Sequence, residues 1–173
     1  MSITFLVVGL IWILIMKKAI SEDGLILQGF EAELNGAQVD IEKSHDGKLV
    51  KFKVYSQDGR LVRTETDNWS KALGGHQIWG SGEVEFDPVK CKYKLTIEIE
   101  IEDFYNFNNG QYDIMTGLPD SENGRFEVFG WANSFFSRGK VKRIVTWNRG
   151  KINDTTKVDD NGNSIRSTER GRR

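Results

Sequence analysis

The sequence predicts an α+β domain, mainly antiparallel β-sheet with one helix near the C-terminal end, preceded by a single N-terminal apolar helix that crosses a membrane. Three features of the chain predict this fold. An uncharged apolar run opens the chain, short segments then alternate apolar with polar residues, and one later segment has apolar residues at spacings of three and four. The 173 residues fit one globular domain with short appendages.

The composition argues against several classes of protein. With 24 Lys and Arg against 25 Asp and Glu, the formal net charge is -1, and no nucleic-acid partner is expected because such partners need a concentrated basic surface. The single cysteine, Cys91, rules out an intrachain disulfide and a zinc site built on several thiolates. The chain has no G-x-S-x-G, P-loop, dinucleotide-binding, H-E-x-x-H or EF-hand pattern, so no metal is predicted and the cofactor is left unknown.

The N-terminal run from Ile3 to Met16 carries no charge and is followed by Lys17 and Lys18. With its flanking residues it reaches the lower limit of about 17 residues for a membrane span. We therefore expect residues 1–20 to form a membrane anchor, with lipid as the partner of residues 3–16. The lysine pair favours a cytoplasmic globular domain on a single-pass anchor. The alternative is a signal peptide cleaved near residues 19–21, which would make the domain periplasmic or secreted.

Residues 24–150 are expected to form the globular domain, which begins as a β-meander. Its first part has short alternating bursts separated by three pairs that favour hairpin turns: Asn35-Gly36, Asp46-Gly47 and Asp58-Gly59. A strand is predicted within Lys48 to Tyr55, with Val50, Phe52 and Val54 on one face. A further hairpin is predicted from His76 to Phe86, with its turn at Gly80-Ser81-Gly82.

The clearest strand runs from Tyr93 to Glu102. One face is aliphatic and predicts core, with Leu95, Ile97, Ile99 and Ile101. The other face carries a row of glutamates, which we interpret as a solvated face opposite a lysine-bearing neighbour.

A long loop follows and reaches to Asp120, and Asp120 or Ser121 can cap the predicted helix. The apolar positions of that helix are Phe126, Phe129, Ala132 and Phe136. Gly139 is predicted to end it, and a last strand follows from Lys140 to Trp147. Residues 151–173 hold few large aliphatic side chains and are expected to form a disordered polar tail.

The candidate catalytic residues gather around the end of the long strand. They are Asp103, Tyr105, Asn106 and Arg125, joined by His76, which follows Gly74-Gly75 and could act as a general base. If the loop folds back over the strand end, these groups suit phosphate or pyrophosphate chemistry. The same residues could instead form turns and surface ion pairs. His45, beside Asp46-Gly47, is expected to be an exposed turn residue.

A resemblance to a known family covers roughly residues 70–150. It is carried by Ala72-Leu73-Gly74-Gly75-His76-Gln77-Ile78-Trp79-Gly80, Glu102-Asp103-Phe104-Tyr105-Asn106-Phe107-Asn108, Gly117-Leu118-Pro119-Asp120, Asn123-Gly124-Arg125-Phe126, Gly130-Trp131-Ala132 and Val145-Thr146-Trp147. This stretch resembles the C-terminal domains of bacterial Rhs-type polymorphic toxins. The resemblance implies a role in antagonism between bacteria, with an envelope component or an immunity protein as a partner.

A second resemblance is to the colicin M group, β-rich lipid II phosphodiesterases with an Asp-x-Tyr-Asp motif followed by His-Arg. Asp103 and Tyr105 match that motif, Asn106 replaces its second Asp, and no His-Arg follows.

Three functions remain open at this point. The leading one is a membrane-associated, toxin-like domain acting at the cell envelope, with its enzymatic character undecided. The second is a non-catalytic anchored domain that binds a partner through the loop from Asn108 to Asp120. The third is a toxin whose N-terminal apolar run itself inserts into and perturbs the target membrane.

Overall fold

The computed structural model describes residues 16–56, 59–105, 135–159 and 163–164. Helix α1 occupies residues 16–22, and the other helices are α2 (Gly24–Ser44) and α3 (Asp67–Ala72). The strands are β1 (Lys51–Tyr55), β2 (Arg60–Val62), β3 (His76–Asp87), β4 (Lys92–Tyr105), β5 (Phe135–Asn148) and β6 (Thr156–Val158).

The strands of the described chain form one sheet in the order β1-β3-β4-β5-β6, and β2 also pairs with β3. Antiparallel pairing joins β1 to β3, β2 to β3, and β5 to β6. The predicted β-rich character of the domain is therefore confirmed. The chain also divides into two compact units. Of the described residues, the first unit comprises 16–28, 60–78, 101–105 and 135–139, and the second comprises 29–56, 59, 79–100, 140–159 and 163–164.

The long alternating strand is confirmed as β4. Its residues Leu95, Ile97, Ile99 and Ile101 are all at most 2% exposed. On the opposite face, Glu98 accepts a hydrogen bond from Lys140 Nζ at 2.8 Å. The glutamate row therefore faces solvent and the cations of neighbouring strands, because a strand turns alternate side chains to opposite faces.

The predicted β-meander is wrong over its first half, because Gly24–Ser44 is the long helix α2. Its buried residues fall on one helical face: Ile26, Phe30, Leu34 and Ile41 are each at most 2% exposed. The pair Asn35-Gly36 lies in the middle of the helix, and a Cβ on Gly36 would meet nothing within 4 Å. The apolar period of about four residues outweighs a local preference for a turn.

The predicted transmembrane helix is wrong. No helix among the described residues is long and apolar enough to cross a bilayer, and the predicted single-pass membrane location is wrong on the same finding. Residues 3–15 of the apolar run lie outside the described residues. Its last residue, Met16, belongs to α1 and is 1% exposed. Met16 packs against Gly139, where an added Cβ would clash with the Met16 side chain.

The predicted C-terminal helix is wrong at its last positions, because Phe136 and Gly139 lie inside strand β5. Gly139 is therefore no helix terminus; it leaves room for the Met16 side chain. The other apolar positions of that helix, Phe126, Phe129 and Ala132, lie outside the described residues.

The predicted hairpin turn at Gly80-Ser81-Gly82 is also wrong, since β3 continues through it as a strand of 12 residues. The glycines allow close approach of the neighbouring strand. A Cβ on Gly82 would lie 2.6 Å from the carbonyl oxygen of Thr96. Glycine in a strand interior often marks such a contact rather than a turn.

Part of the predicted disordered tail is ordered. Strand β6 pairs with β5, with Val158 opposite Ile144 and Thr156 opposite Thr146. Next to it, the Nε2 of Gln38, a side chain only 3% exposed, donates a hydrogen bond to Thr155 Oγ1 at 3.0 Å. The start of the tail is thus joined to the sheet and to α2.

Candidate functional site

Polar side chains interrupt the aliphatic inner face of β4 and β5 in the first unit. On the outer face, Arg138 forms an ion pair with Glu102, and the Phe104 and Phe136 rings pack with centroids 4.6 Å apart. These two contacts fix the antiparallel register, so the residues between them, Asp103 and Ser137, lie opposite each other on the inner face. Ser137 is 3% exposed.

The pairing of β3 with β4 places a histidine on the other side of Asp103 from Ser137. Near the turn, Lys94 Nζ lies 3.2 Å from Glu85 Oε2, and the Phe86 and Tyr93 ring centroids are 4.7 Å apart. The register holds further along the strands, since a Cβ on Gly82 would lie 3.0 Å from Ile97 Cα and one on Gly80 would meet the side chains of Ile97 and Ile99. The same register, continued along the strands, places His76 opposite Asp103.

We refer to His76, Asp103 and Ser137 as the polar row. On its far side, β2 places Val62 opposite His76. The row therefore crosses neighbouring strands, each of its members standing where an aliphatic residue would continue the core.

His76 is the most deeply buried member of the row, with 1% of its surface exposed. Neither ring nitrogen has a hydrogen-bond partner among the described residues. Burial lowers the pKa of His76, whereas the backbone carbonyl of Gly74, which is near the ring but outside hydrogen-bond geometry, and the negative charge of Asp23 oppose this lowering. Native proteins rarely bury an unpartnered imidazole, so this group calls for a functional explanation.

Asp103 is the partly exposed member of the row and follows the buried residue Ile101 on the inner face. Burial raises the pKa of its carboxyl to about 6, although the backbone amide of Phe104 favours the ionised form. A carboxyl that titrates near neutrality can both donate and accept a proton. This chemistry is available to a bound molecule because Asp103 is not fully enclosed.

Replacing Asp103 by Asn is expected to stabilise the protein above pH 6 and to leave its stability unchanged near pH 4. The folded carboxyl keeps its proton up to about pH 6, whereas the unfolded one loses it near pH 3.8. Stability therefore falls across that interval as pH rises. The gain at pH 8 should be about 1–2 kcal/mol, allowing for partial exposure.

Chemical denaturation at a series of pH values tests this expectation. Glu102→Gln, on the outer face of the same strand, is the control and should show no comparable pH-dependent gain. A difference between Asp103→Asn and wild type that is the same at pH 4 and pH 8 would contradict a raised pKa.

The other predicted site residues are placed only in part. Tyr105 is the last residue of β4, but its side chain lies outside the described residues, as do Asn106 and Arg125. The strand register sets His76 opposite Asp103, and the relation of both residues to the guanidinium and the phenol stays a prediction. Within the described ranges, no group of three His, Cys, Asp or Glu residues could hold a metal ion.

A second polar cluster in the first unit is centred on Asp23, whose charge acts on His76. Asp23 separates α1 from α2 and caps α2, its Oδ1 accepting hydrogen bonds from the amides of Leu25 at 3.1 Å and Ile26 at 3.0 Å. Its Oδ2 accepts from the amides of Glu65 at 2.9 Å and Thr66 at 3.0 Å, and from Thr66 Oγ1 at 3.1 Å.

A hydrogen bond in the opposite direction joins the same two segments, because the amide of Gly24 donates to Glu65 Oε1 at 2.7 Å. Burial alone would raise the pKa of Asp23, but the hydrogen bonds from Ile26, Thr66 and Glu65 together hold it below its ordinary value. Asp23 is therefore ionised at neutral pH. It supplies the negative charge that acts on His76.

Sequence reasoning missed Ser137 and the pairing of His76 with Asp103. A charge pattern could have found Ser137, since matching Glu102 with Arg138 across two strands sets Asp103 opposite it. It also misread His45, which is buried at 6% exposure in the second unit. His45 contacts Tyr93 and Leu49 through its two ring nitrogens and has a structural role there.

Comparisons of the chain with protein-family models, with curated proteins and with solved structures gave no match.

Proposed function

We propose that this chain is a toxin-like domain of interbacterial antagonism in which Asp103 acts as a general acid and base. The observation that carries the proposal is the polar row, where a partly exposed carboxyl lies opposite a buried, unpartnered imidazole on an otherwise aliphatic sheet face. Such pairs are typical of sites that move protons.

The two residues have different roles in this proposal. Asp103 can reach a substrate because it is partly exposed, and its carboxyl titrates in the range that proton transfer at neutral pH requires. His76 is almost fully enclosed and cannot touch a substrate. It acts as a positioning residue, since its neutral ring and the surrounding aliphatic side chains set the environment of the carboxyl.

The toxin-like setting is supported by the resemblance of residues 70–150, which includes the segments that hold both His76 and Asp103. Phosphate or pyrophosphate remains the substrate chemistry that Arg125 would favour, because a guanidinium binds phosphoryl oxygens bidentately. The net charge of -1 argues for a target other than nucleic acid.

Inducible expression in a bacterial host, with and without an export signal, tests the proposal. We expect the wild-type chain to arrest growth in one compartment and Asp103→Ala to abolish the arrest. Asp103→Asn should do the same, because it keeps the shape of the side chain and removes its acid–base chemistry. The matched control is Glu102→Gln, one residue away on the outer face, which should remain toxic.

Two results would contradict the proposal. Growth arrest that persists in both Asp103 variants at equal protein level would exclude Asp103 as the catalytic group. No arrest by the wild-type chain in either compartment would exclude a toxin and favour a binding domain. Thermal unfolding of each variant separates loss of chemistry from loss of fold.

A further inference from the structure

Strand β1, in the second unit, lies at the edge of the sheet. In the described chain its sheet neighbour is β3, on one side only. Its residues are exposed or half-exposed throughout. Apolar side chains at its two ends are also open to solvent, with Val50 at 53% and Tyr55 at 66% exposure. Exposed sheet edges with apolar residues are sites where another strand can pair.

Hydrogen bonds to β3 show which backbone groups remain for a partner. The carbonyl oxygen of Val50 accepts from the amide of Phe86 at 2.8 Å, and the amide of Ser56 donates to the carbonyl oxygen of Gly80 at 2.8 Å. Even-numbered residues of β1 therefore bond to β3. In an antiparallel pair the intervening residues point their amides and carbonyls the other way, so Lys51, Lys53 and Tyr55 present them at the open edge.

The charges on the outer face alternate in sign from strand to strand. Glu85 of β3 lies between two lysines, Lys94 of β4 at 3.2 Å and Lys51 of β1 at 3.1 Å. The next pair along repeats the order, with Lys53 opposite Glu83. A further strand beside β1 would continue this alternation if it carried acidic residues opposite Lys51 and Lys53.

A second copy of this chain fits the edge poorly. Antiparallel pairing of two β1 strands would bring lysines of one copy next to lysines of the other, and like charges on neighbouring strands destabilise a sheet.

We propose that the β1 edge binds an extended acidic segment of a partner protein, which adds to the sheet as a further strand next to β1. The backbone groups of Lys51, Lys53 and Tyr55 provide the hydrogen bonds, and the two lysines select acidic side chains. This surface shares no residue with the polar row, so the inference does not depend on the proposed function.

Amide hydrogen exchange with a short peptide of alternating Glu and Val tests the proposal. We expect the peptide to slow exchange at Lys51, Lys53 and Tyr55. The amides of Phe52 and Val54, bonded to β3, should change little. The same peptide with Lys in place of every Glu is the control and should bind at least about tenfold more weakly.

The sharpest variant is Lys53→Pro. It removes one amide and the Lys53 charge from the open edge and no hydrogen bond from the ladder with β3, which is where a sheet tolerates proline. We expect about tenfold weaker binding of the acidic peptide with an unchanged melting temperature. If this variant does not fold, Lys51→Gln/Lys53→Gln gives a second test, because it keeps every backbone hydrogen bond and removes the charge selection.

The proposal is overturned if the acidic peptide does not bind, or if it binds without slowing exchange at these three amides. It is equally overturned if the Glu and Lys peptides bind alike. Sedimentation of the free protein completes the test, since a dimer that Lys53→Pro dissociates would show that a second copy occupies the edge.

Discussion

Asp23→Ala is expected to lower the free energy of unfolding by about 3 kcal/mol. The substitution removes the cap of α2 and leaves the amides of Ile26, Glu65 and Thr66 without the carboxylate that accepts their hydrogen bonds. The charge is also lost from a side chain only 1% exposed, where hydrogen bonds to an ionised group are stronger than neutral ones. In a chain of this size the melting temperature should fall by roughly 10 °C.

Thermal and urea unfolding at neutral pH measure the effect of Asp23→Ala. Asp40→Ala, at an exposed position of the same helix, is the matched control and should change stability little. Because the pKa of Asp23 is lowered, its contribution is complete above the ordinary aspartate value and is lost as pH falls through the folded value. The two proteins should therefore converge in strong acid. Equal stability at pH 7 would show that the cluster does not hold the helix.

His45→Ala should destabilise the protein by about 3–4 kcal/mol, the other large effect that we expect. In the neutral ring, His45 Nε2 donates to the Leu49 oxygen at 2.8 Å, because a carbonyl can only accept, and Nδ1 accepts from the Tyr93 hydroxyl at 3.0 Å. Burial raises the pKa of Tyr93, which keeps this donor protonated. The ring also stacks on Phe52 at 4.6 Å, so its loss leaves a cavity.

A double-mutant cycle separates packing from hydrogen bonding at this position. His45→Phe keeps a ring and should cost about 1–2 kcal/mol, largely from the unsatisfied Tyr93 hydroxyl. Combining it with Tyr93→Phe removes that hydroxyl, so the double variant should be more stable than the sum of the single effects predicts. Additive effects would show that the His45–Tyr93 hydrogen bond contributes nothing measurable.

The sequence was most informative where a single pattern extends over many residues. The alternation from Tyr93 to Glu102 predicted both faces of β4, because every second side chain of a strand meets the same environment. The segment around Phe52 was predicted for the same reason, and β1 is found there.

Errors arose where a local preference conflicted with tertiary packing. Asn35-Gly36 favours a turn in isolation, yet Phe30, Leu34 and Ile41 gain more by burial along one helical face. The glycines of β3 were misread similarly. Gly82 is required by the approach of the Thr96 backbone, a contact that no local rule contains.

The sequence predicted which residues belong to the candidate site, but only partly how they are arranged. His76 and Asp103 were both singled out from the sequence, but their pairing depends on where the β3–β4 turn lies. The predicted turn was placed at Gly80-Ser81-Gly82, whereas β3 extends to Asp87. A shift of the turn changes every cross-strand partner, so the register had to come from the contacts of Glu85 and Phe86.

The bond from Thr66 to Asp23 also bears on the order of folding. It joins residues 43 positions apart and closes a loop that contains α2, β1 and β2. Closing a loop of this length costs entropy before any contact across it is gained. We therefore expect the bonds from Glu65 and Thr66 to Asp23 to form after the local cap bonds of α2, so that their loss speeds unfolding more than it slows folding.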